Sequence, residues 1–572
     1  MSYASFRRSD PRVRGVCTRV AAACLAPPRR RARFANLALA CALVACNERQ
    51  SSASPTVGGT MVISAFADPD ILIPPLTMTG QGQQVVDAIF DGLALPEWTA
   101  DGSVRYVPML ATTWRWSSDS LAIDFTLDPK ATWHDGTKVT ADDVRFTWLA
   151  YTDSTVASPA ASALTNIDSV QVLGPHDVRV WFATRTAEQL ADAATQMRIL
   201  PKHLLDSIPR AAWRTSAFAR SPVGTGRFRF GRWLASAQLD VVADTNNYRG
   251  RPGLDRVIWT VSPDPSAATA RLFAREADFL ESVRPDAAAE FASHKDVMLL
   301  QSPSLVYGFL QFNLDTPQLA GRPHPLFGDR SLRRALSMVV DRPAAVRAVF
   351  DTLARVALGP MTRIQVGGDS TLPAIPFDVG RGAALLDSLG WTRADTTSTR
   401  SRNGVRLRFT VLVPATSTPR LRLAALIQQN LKDAGVQMEI EKVEFAAFNA
   451  RLADGAFDAT IMAIGADPQQ SGIRGVWTQS ASRVKGGQNF GSYASATFDA
   501  LVDSAAASTD VRRAKGYYQR AYRVIIDDAP AIWLYEPWNL SGIRRALSPV
   551  GVRPDGWWMQ LGDWTRTVTD TP

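Results

Sequence analysis

Cysteine is missing from almost the entire chain. All four cysteines of this 572-residue sequence lie at positions 17, 24, 41 and 46, and none follows Cys46. Disulfide frameworks and thiolate metal clusters need paired cysteines in the folded region, so the sequence excludes both there. A cysteine-free body also suits a protein that is exported to an oxidising compartment.

Histidine is scarce as well. The five histidines are scattered, and most lie beside proline or aspartate in predicted turns, at positions 134, 176, 203, 294 and 324. Neither the G-x-S-x-G nor the H-E-x-x-H pattern of common hydrolases occurs. A secreted hydrolase is therefore the distant alternative, and we expect no catalytic residue, metal or cofactor.

Positive charge is concentrated at one end of the chain. The formal net charge is +9, but residues 1–45 contain nine arginines and a single acid, Asp10. The remainder of the chain is therefore close to neutral, which removes the main support for a nucleic-acid partner. A basic arm that binds nucleic acid is the alternative interpretation of this end.

The arginine-rich end has the organisation of an export signal. The apolar run Phe34–Ala45 is shorter than the roughly twenty residues that span a bilayer, but it has the length of a signal-peptide core. It ends Leu43-Val44-Ala45-Cys46, which resembles the bacterial lipobox. We predict a signal peptide at 1–45, then a lipidated Cys46 and a flexible tether at 46–57, anchoring an exported protein to a cell-envelope membrane. An ordinary signal peptide with an accidental Cys46 is the alternative, and both Sec and twin-arginine export stay open.

The stretch 121–148 carries the sharpest local signals of the body. Alternating apolar residues predict a strand at 122–127, and Asp135-Gly136 predicts a tight turn because glycine tolerates positive φ. Thr140 is a good helix N-cap, and Asp143 three residues later can complete a capping box. These features predict a strand, a turn and an amphipathic helix in sequence.

Several segments in order resemble the extracellular solute-binding proteins of the dipeptide and oligopeptide ABC-transporter class. The resemblance rests on the WHDGT turn with its TADDVRFTW helix, and on segments that begin at Gly58, Tyr106, Ile199, Pro222, Val306, Arg330, Asp378, Phe490 and Asp528. Arg275-Glu276-Ala277-Asp278 resembles the G-E-x-D position of this family, with arginine in place of glycine. A Gly-rich element at 221–228 lacks the ending of a phosphate loop, and we interpret it as a turn.

The resemblance implies an α/β fold of the two-lobed periplasmic-binding-protein type, class II, in its large three-domain form with mixed sheets and a hinge. It implies a discontinuous first lobe from residues 58–91, 222–312 and 533–572, an accessory domain at 92–221 and a second lobe at 313–532. Strands near Gln311 and Leu534 would connect the lobes. The alternation of strand and helix between 406 and 443 independently predicts a parallel α/β arrangement.

The resemblance also implies a ligand site between the lobes. In peptide binders of this family an aspartate at the position of Asp467 accepts the α-ammonium of the ligand, and an aromatic residue at the position of Phe445 flanks the peptide. Asp467-Pro468 also fits a structural Asp-Pro of the family, so both roles stay open. The other candidate ligand-binding residues are Ile464, Gly465 and Ala466, with Tyr307 and Trp477 as candidate apolar walls. A role for Tyr307 as an ordinary core residue is the alternative.

The sequence thus predicts a monomeric binding protein that performs no chemistry. It would capture di- or oligopeptides and deliver them to the permease subunits of an ABC importer. The alternatives are another solute (a metal chelate, haem or an oligosaccharide) or a sensor role, because one fold carries all of these functions.

Overall fold

A computed structural model describes residues 57–98, 104–466, 472–482 and 487–567. The predicted signal peptide, Cys46 and Asp467 lie outside these residues. Within the described ranges, no helix combines the length and the apolar character needed to cross a membrane.

Strands make up much of the described chain. In order they are β1 Thr60–Ala65, β2 Ala94–Trp98, β3 Val104–Pro108, β4 Ala111–Trp116, β5 Ala122–Leu127, β6 Ile167–Gly174, β7 Asp177–Phe182, β8 Phe228–Leu234, β9 Gln238–Ala243, β10 Arg256–Val261, β11 Phe279–Leu280, β12 Val297–Pro303, β13 Val306–Phe312, β14 Asp315–Thr316, β15 Leu319–Pro323, β16 Ala354–Val356, β17 Ser401–Arg402, β18 Val405–Arg406, β19 Arg408–Pro414, β20 Gln437–Val443, β21 Ala459–Gly465, β22 Ala531–Arg544, β23 Leu547–Ser548 and β24 Thr565–Arg566.

Helices pack around these strands. In order they are α1 Gly80–Ile89, α2 Ala141–Tyr151, α3 Gln189–Thr195, α4 Lys202–Leu205, α5 Pro265–Phe273, α6 Arg330–Val339, α7 Arg342–Phe350, α8 Val379–Ser388, α9 Thr418–Asp433, α10 Phe445–Ala453, α11 Gly472–Trp477, α12 Ala496–Ala506 and α13 Val511–Asp528. Together with the strands they form a mixed α/β protein, as predicted.

One large mixed sheet organises the molecule. Its strands lie in the order β20-β19-β21-β13-β22-β11-β1-β10-β9-β8, and β12 and β16 also pair with β22. The β19–β20 and β1–β10 pairs are parallel, whereas β13 is antiparallel to both of its neighbours. The parallel arrangement predicted between 406 and 443 is confirmed. A separate four-stranded sheet, β4-β5-β7-β6, lies within the segment 92–221.

The long strand β22 joins two parts of the large sheet. Its first residues, from Ala531, pair with β13 and β16, and its later residues, from Trp538 to Arg544, pair with β12 and β11. The strands β12 and β13 follow each other in the chain, and both run antiparallel to β22. Two neighbouring segments, at 304–305 and 536–537, carry the chain from one part of the sheet to the other. We call this place the strand crossing.

The strand β13 is buried on both of its faces. Leu310 and Phe312 belong to one apolar core, while Tyr307 and Phe309 belong to another. Successive residues of a strand point to opposite faces, so a strand between two cores needs apolar residues throughout. This explains the nearly continuous apolar sequence VYGFLQF.

The predicted features of the stretch 121–148 are confirmed. The strand β5 has the predicted bounds, and Gly136 has a φ of 91° in the turn. The amide of Thr140 donates to the carboxylate of Asp143 at 2.9 Å, within a capping box that starts α2. Asp143 also accepts the amide of Lys202 at 2.9 Å, so the same cap docks α2 against the segment that starts α4.

The Gly-rich element and the WHDGT turn bind each other. The amide of Gly224 donates to Nδ1 of His134 at 3.2 Å, and Nε2 of the same ring lies 2.9 Å from the carbonyl of Gly226. A Cβ at Gly224 would lie 2.0 Å from the carbonyl oxygen of Ile89, so the close packing requires glycine. The element is a turn packed on α1, and its glycines serve backbone packing.

Candidate functional site

A cavity of about 370 Å³ opens where β13 begins and β21 ends. We call it the Tyr307 cavity. It is lined by Tyr307, Pro360, Gln365, Ile464, Gly465, Ala466, Gly472, Ile473, Gly475, Val476, Gln488 and Tyr522. Four of these residues are predicted ligand-binding residues, namely Tyr307, Ile464, Gly465 and Ala466.

Strand pairing brings these four residues together. Tyr307 on β13 lies opposite Ile464 on β21, and the next pair along the ladder places Gly465 opposite Val306. The amide of Ala466 then donates to the carbonyl of Leu305 at 2.6 Å, which extends the pairing beyond the strand. A rigid two-stranded ladder therefore fixes one wall of the cavity.

The remaining predicted residues have other surroundings. Trp477 is 0% exposed, and its indole nitrogen donates to the hydroxyl of Tyr307 at 2.9 Å, so it supports the wall from behind. Phe445 is 55% exposed at the start of α10, where its ring stacks on Phe448. Neither residue lines the Tyr307 cavity. Asp467 directly follows the lining residue Ala466 in sequence and lies outside the described residues.

No charged side chain belongs to the described lining of the Tyr307 cavity. Aromatic, aliphatic and glycine residues dominate, and the side-chain amides of Gln365 and Gln488 add hydrogen-bonding capacity. Burial raises the pKa of Tyr307, which keeps its hydroxyl protonated. A Cβ at Gly465 would have no atom within 4 Å, so this backbone faces open space. The cavity can hold an apolar group beside exposed backbone.

A second cavity, of about 590 Å³, lies on the other side of the strand crossing. We call it the Glu281 cavity. It is lined by Phe66, Gln81, Glu281, Ser282, Val283, Pro285, Ser302, Trp538, Asn539, Leu540, Ser541, Val552, Arg553, Pro554, Asp555, Gly556, Trp557 and Trp558. Three tryptophans and two carboxylates, those of Glu281 and Asp555, distinguish this lining from that of the Tyr307 cavity.

The two cavities lie within the reach of one short ligand. Ser302 lines the Glu281 cavity and Tyr307 lines the other, and five positions separate them in the sequence. A fully extended chain of that length spans at most about 18 Å. A peptide of a few residues could therefore contact both linings.

A third cavity, of about 840 Å³, also borders the crossing. Its lining combines residues 284–301 with residues 347–353 and 416–422, which are far apart in the sequence.

Most histidines have clear structural partners. His203 lies 2.8 Å from a carboxylate oxygen of Asp135, His324 lies 3.3 Å from Asp458, and the ring of His294 stacks on Phe273. In the part of the chain that the structure describes, no group of three or more potential ligand side chains could hold a metal ion.

Several lining residues could not be identified from sequence. Pro360, Gln365 and Tyr522 come from a loop and from α13, both far from β13 in the sequence. Glu281 follows the two-residue strand β11, whose sequence carries no motif. The signal that would have found them is strand pairing between distant segments, which a single sequence does not reveal.

Comparison with known proteins agrees with this architecture. The sequence profile described as "Bacterial extracellular solute-binding proteins, family 5 Middle" matches residues 105–482. The oligopeptide-binding protein AppA of Bacillus subtilis is 25% identical over 527 residues, which cover 89% of this chain and 93% of AppA. The di/tripeptide-binding protein 2 of Pseudomonas aeruginosa is 25% identical over 578 residues, covering 95% of this chain and all of that protein (100%).

Solved structures share the fold. The ABC-transporter substrate-binding protein CtaP of Listeria monocytogenes superposes with a TM-score of 0.76 at 20% identity, covering 90% of this chain and 100% of CtaP. NikZ of Campylobacter jejuni, solved with Ni(L-His), gives a TM-score of 0.70 at 23% identity, covering 89% of this chain and 99% of NikZ. The predicted α/β periplasmic-binding-protein fold is thereby confirmed. Because the profile spans more than half of its length, the chain belongs to the bacterial extracellular solute-binding proteins of family 5.

Proposed function

We propose that this protein is the substrate-binding subunit of an ABC importer and captures short peptides in a cleft between two lobes. Two relatives that align over most of the chain are named for oligopeptide and di/tripeptide binding. The protein would hand its ligand to permease subunits without altering it, and would act as a monomer. The family consists of extracellular solute-binding proteins, so catalysis has no place in this proposal.

The proposal depends on one observation: the Tyr307 cavity and the Glu281 cavity both lie beside the strand crossing. We propose a first lobe from 58–91, 222–312 and 533–572 with its accessory domain at 92–221, and a second lobe at 313–532. The strand register favours a crossing at 304–305 and 536–537, a few residues away from the limits at 312 and 533. Two short connections of this kind, which run antiparallel to each other, allow hinge closure over a ligand.

We propose that the Tyr307 cavity receives part of the peptide. Gly465 and Ala466 would offer backbone groups at the end of β21, and an extended peptide can add to such a backbone edge. Ile464 and Tyr307 would form the apolar wall, with Trp477 fixing the tyrosine from behind. Exposed Phe445 would flank the ligand once the lobes close.

Asp467 would accept the α-ammonium of the peptide. It follows Ala466, which lines the cavity, and the described lining contains no other carboxylate. A charge-assisted hydrogen bond between a carboxylate and an ammonium orients a ligand strongly. The competing role is that of a structural Asp-Pro, in which Asp467 would not touch the ligand.

We also propose that Cys46 carries a lipid that anchors the protein to a cell-envelope membrane. The apolar run before Cys46 and its lipobox-like sequence support this. Cys46→Ser should move the protein from the membrane fraction to the soluble fraction while its melting temperature stays the same. Retention of the Cys46→Ser variant in the membrane fraction would show that the anchor lies elsewhere.

The ligand class can be tested by thermal denaturation of the full-length protein with di- to pentapeptides. A ligand that binds the folded state alone raises the melting temperature with increasing concentration. We expect peptides to do so, and mass spectrometry of the purified protein should detect bound peptides. A bound oligosaccharide, haem or metal chelate, with no shift by peptides, would replace the peptide assignment.

The role of Asp467 can be tested separately with an alanine variant. Asp467→Ala should lose the thermal shift given by peptides with a free amino terminus, and acetylation of that terminus should weaken binding to the unmodified protein. Asp454→Ala, at an exposed position after α10, is the matched control and should keep the full shift. An undiminished shift in Asp467→Ala would assign this residue to the structural Asp-Pro.

A further inference from the structure

We propose that the Glu281 cavity is a subsite for a cationic group of the ligand, an ammonium or a guanidinium, and that Glu281 is its specificity-determining residue. This inference rests on the proposed function and extends it to the class of peptide preferred. Peptides with a lysine or arginine side chain at the position facing this cavity would bind more tightly than peptides with neutral side chains of similar size.

The carboxylate of Glu281 is held in place by buried neighbours. Its Oε2 accepts from the side-chain amide of Gln84 at 2.9 Å, and the oxygen of the same amide accepts from the indole of Trp259 at 3.0 Å. Gln84 is 1% exposed and Trp259 is 2% exposed, so neither can easily turn away. The hydroxyl of Ser541 also donates to the backbone carbonyl of Glu281 at 2.8 Å. The carboxylate is therefore preorganised at the cavity wall.

No cation of the described chain neutralises this carboxylate. In these residues no lysine, arginine or histidine nitrogen lies within ion-pair distance of Glu281. Arg553, which lines the same cavity, already pairs with Asp555, with 2.9 Å between its Nε and a carboxylate oxygen. Burial raises the pKa of Glu281, and the hydrogen bonds from the side chains of Gln84 and Trp557 act against that rise. A ligand cation would supply the missing partner.

Tryptophan rings form the other walls. The indole nitrogen of Trp558 donates to Asp87 at 2.8 Å, and the ring of Trp557 packs on Phe279 with 4.3 Å between ring centroids. Trp538 already stacks against a cation, with the guanidinium of Arg355 4.9 Å from its ring centroid. Indole faces attract cations, and they also pack against the methylene stems of lysine and arginine. The lining therefore suits a long side chain with a charged end.

The same lining disfavours other ligand groups. A ligand carboxylate would face the like charge of Glu281 in a partly desolvated site, which is costly. An apolar side chain would cover the carboxylate and remove its remaining access to water without supplying a cation, which is also costly. A cation gains from the carboxylate of Glu281 and from the indole walls, so selectivity arises from both attraction and exclusion.

The test is a calorimetric titration of the full-length protein with alanine-based tetrapeptides. Lysine is placed at each position in turn, and each peptide is compared with its Nε-acetyl-lysine counterpart, which has a similar shape without the charge. The protein is compared with Glu281→Gln, which keeps an oxygen acceptor for Gln84. Tetra-alanine binding and the melting temperature report whether the variant is folded.

We expect one position at which lysine binds about tenfold or more tightly than acetyl-lysine, since hydrogen bonds to charged groups contribute this much. In Glu281→Gln the preference should disappear while the variant keeps a cooperative melting transition. Equal binding of lysine and acetyl-lysine at every position, or a preference that persists in Glu281→Gln, would overturn the cationic subsite while leaving peptide binding intact. Failure of every peptide to bind the folded protein would overturn the proposed function, and the subsite with it.

Discussion

The indole of Trp477 donates a hydrogen bond of 2.9 Å to the hydroxyl of Tyr307, which lies 170 positions earlier in the chain. Tyr307 lines a cavity beside the strand crossing, whereas Trp477 is fully buried behind it. The bond thus ties the wall of the proposed ligand site to α11. Such a bond fixes the ring that a ligand would contact and removes the need for a water partner.

Removing either partner of this bond should destabilise the protein, and the effects of the two substitutions should not be additive. Trp477→Phe leaves the hydroxyl of Tyr307 without its buried donor, and Tyr307→Phe leaves the indole nitrogen without an acceptor. Each change should lower the free energy of unfolding by about 1–3 kcal/mol. The double variant should lose less than the sum of the two single losses, because no unpaired group remains. Urea unfolding of the four proteins measures this coupling, and strict additivity would show that the bond contributes nothing.

Substitution by alanine should have different effects on stability at two glycines near the Tyr307 cavity. A Cβ at Gly308 would lie 2.1 Å from the ring of Tyr535, whereas a Cβ at Gly465 would meet no atom within 4 Å. Gly308→Ala should lower the free energy of unfolding by about 1–3 kcal/mol through overpacking. Gly465→Ala should leave stability unchanged and weaken peptide binding, since it places a methyl group in the ligand space. Equal melting temperatures for the two variants would contradict this packing at the crossing.

His134 should make stability depend on pH in the mildly acidic range. Burial lowers the pKa of His134 from its ordinary value of about 6.5, and its Nδ1 accepts a hydrogen bond from Gly224 that requires the unprotonated nitrogen. The unfolded chain therefore binds a proton at this position before the folded chain does, and stability falls as pH drops below about 6.5. The slope from this residue is at most about 1.4 kcal/mol per pH unit.

The variant His134→Gln isolates this contribution. Glutamine does not titrate, so the free energy of unfolding between pH 7 and pH 5 should change less steeply than in the unmodified protein. Chemical denaturation at several pH values gives both slopes. Parallel slopes would show that His134 titrates alike in the folded and unfolded chains.

Arg275 occupies a backbone conformation that favours glycine. Its φ is 67°, in the turn where the family has glycine according to the sequence resemblance. Arg275→Gly should relieve this strain, which is about 1 kcal/mol. Two losses partly offset the gain in stability: glycine has greater freedom in the unfolded chain, and the exposed contact to Asp296 disappears. Arg275→Ala loses the same contact and keeps the strain, so it is the matched control. The glycine variant should melt above the alanine variant, and the reverse order would refute the strain.

Local signals allowed much of the fold to be predicted. The turn at Gly136 and the capping box of Thr140 depend on residues close together in the chain. In each case a few neighbouring residues determine the backbone conformation, so a single sequence is sufficient.

The linings of the cavities depend on contacts between distant residues, and sequence reasoning found them incompletely. Glu281 and Gln84 meet across 197 positions, and nothing near either residue indicates the other. Tyr307 and Ile464 entered the prediction through family resemblance, and strand pairing explains why they lie together. The same resemblance selected Phe445, which the fold leaves exposed at the start of α10. Its ligand contact, like that of Asp467, stays a prediction.

Native mass spectrometry of the full-length protein with a mixture of di- to pentapeptides tests the capture of an unaltered peptide most directly. The account predicts complexes of one protein with one peptide, from which collisional activation releases the intact peptide. A protein that gains no mass from the mixture, or that releases cleaved fragments, would contradict it.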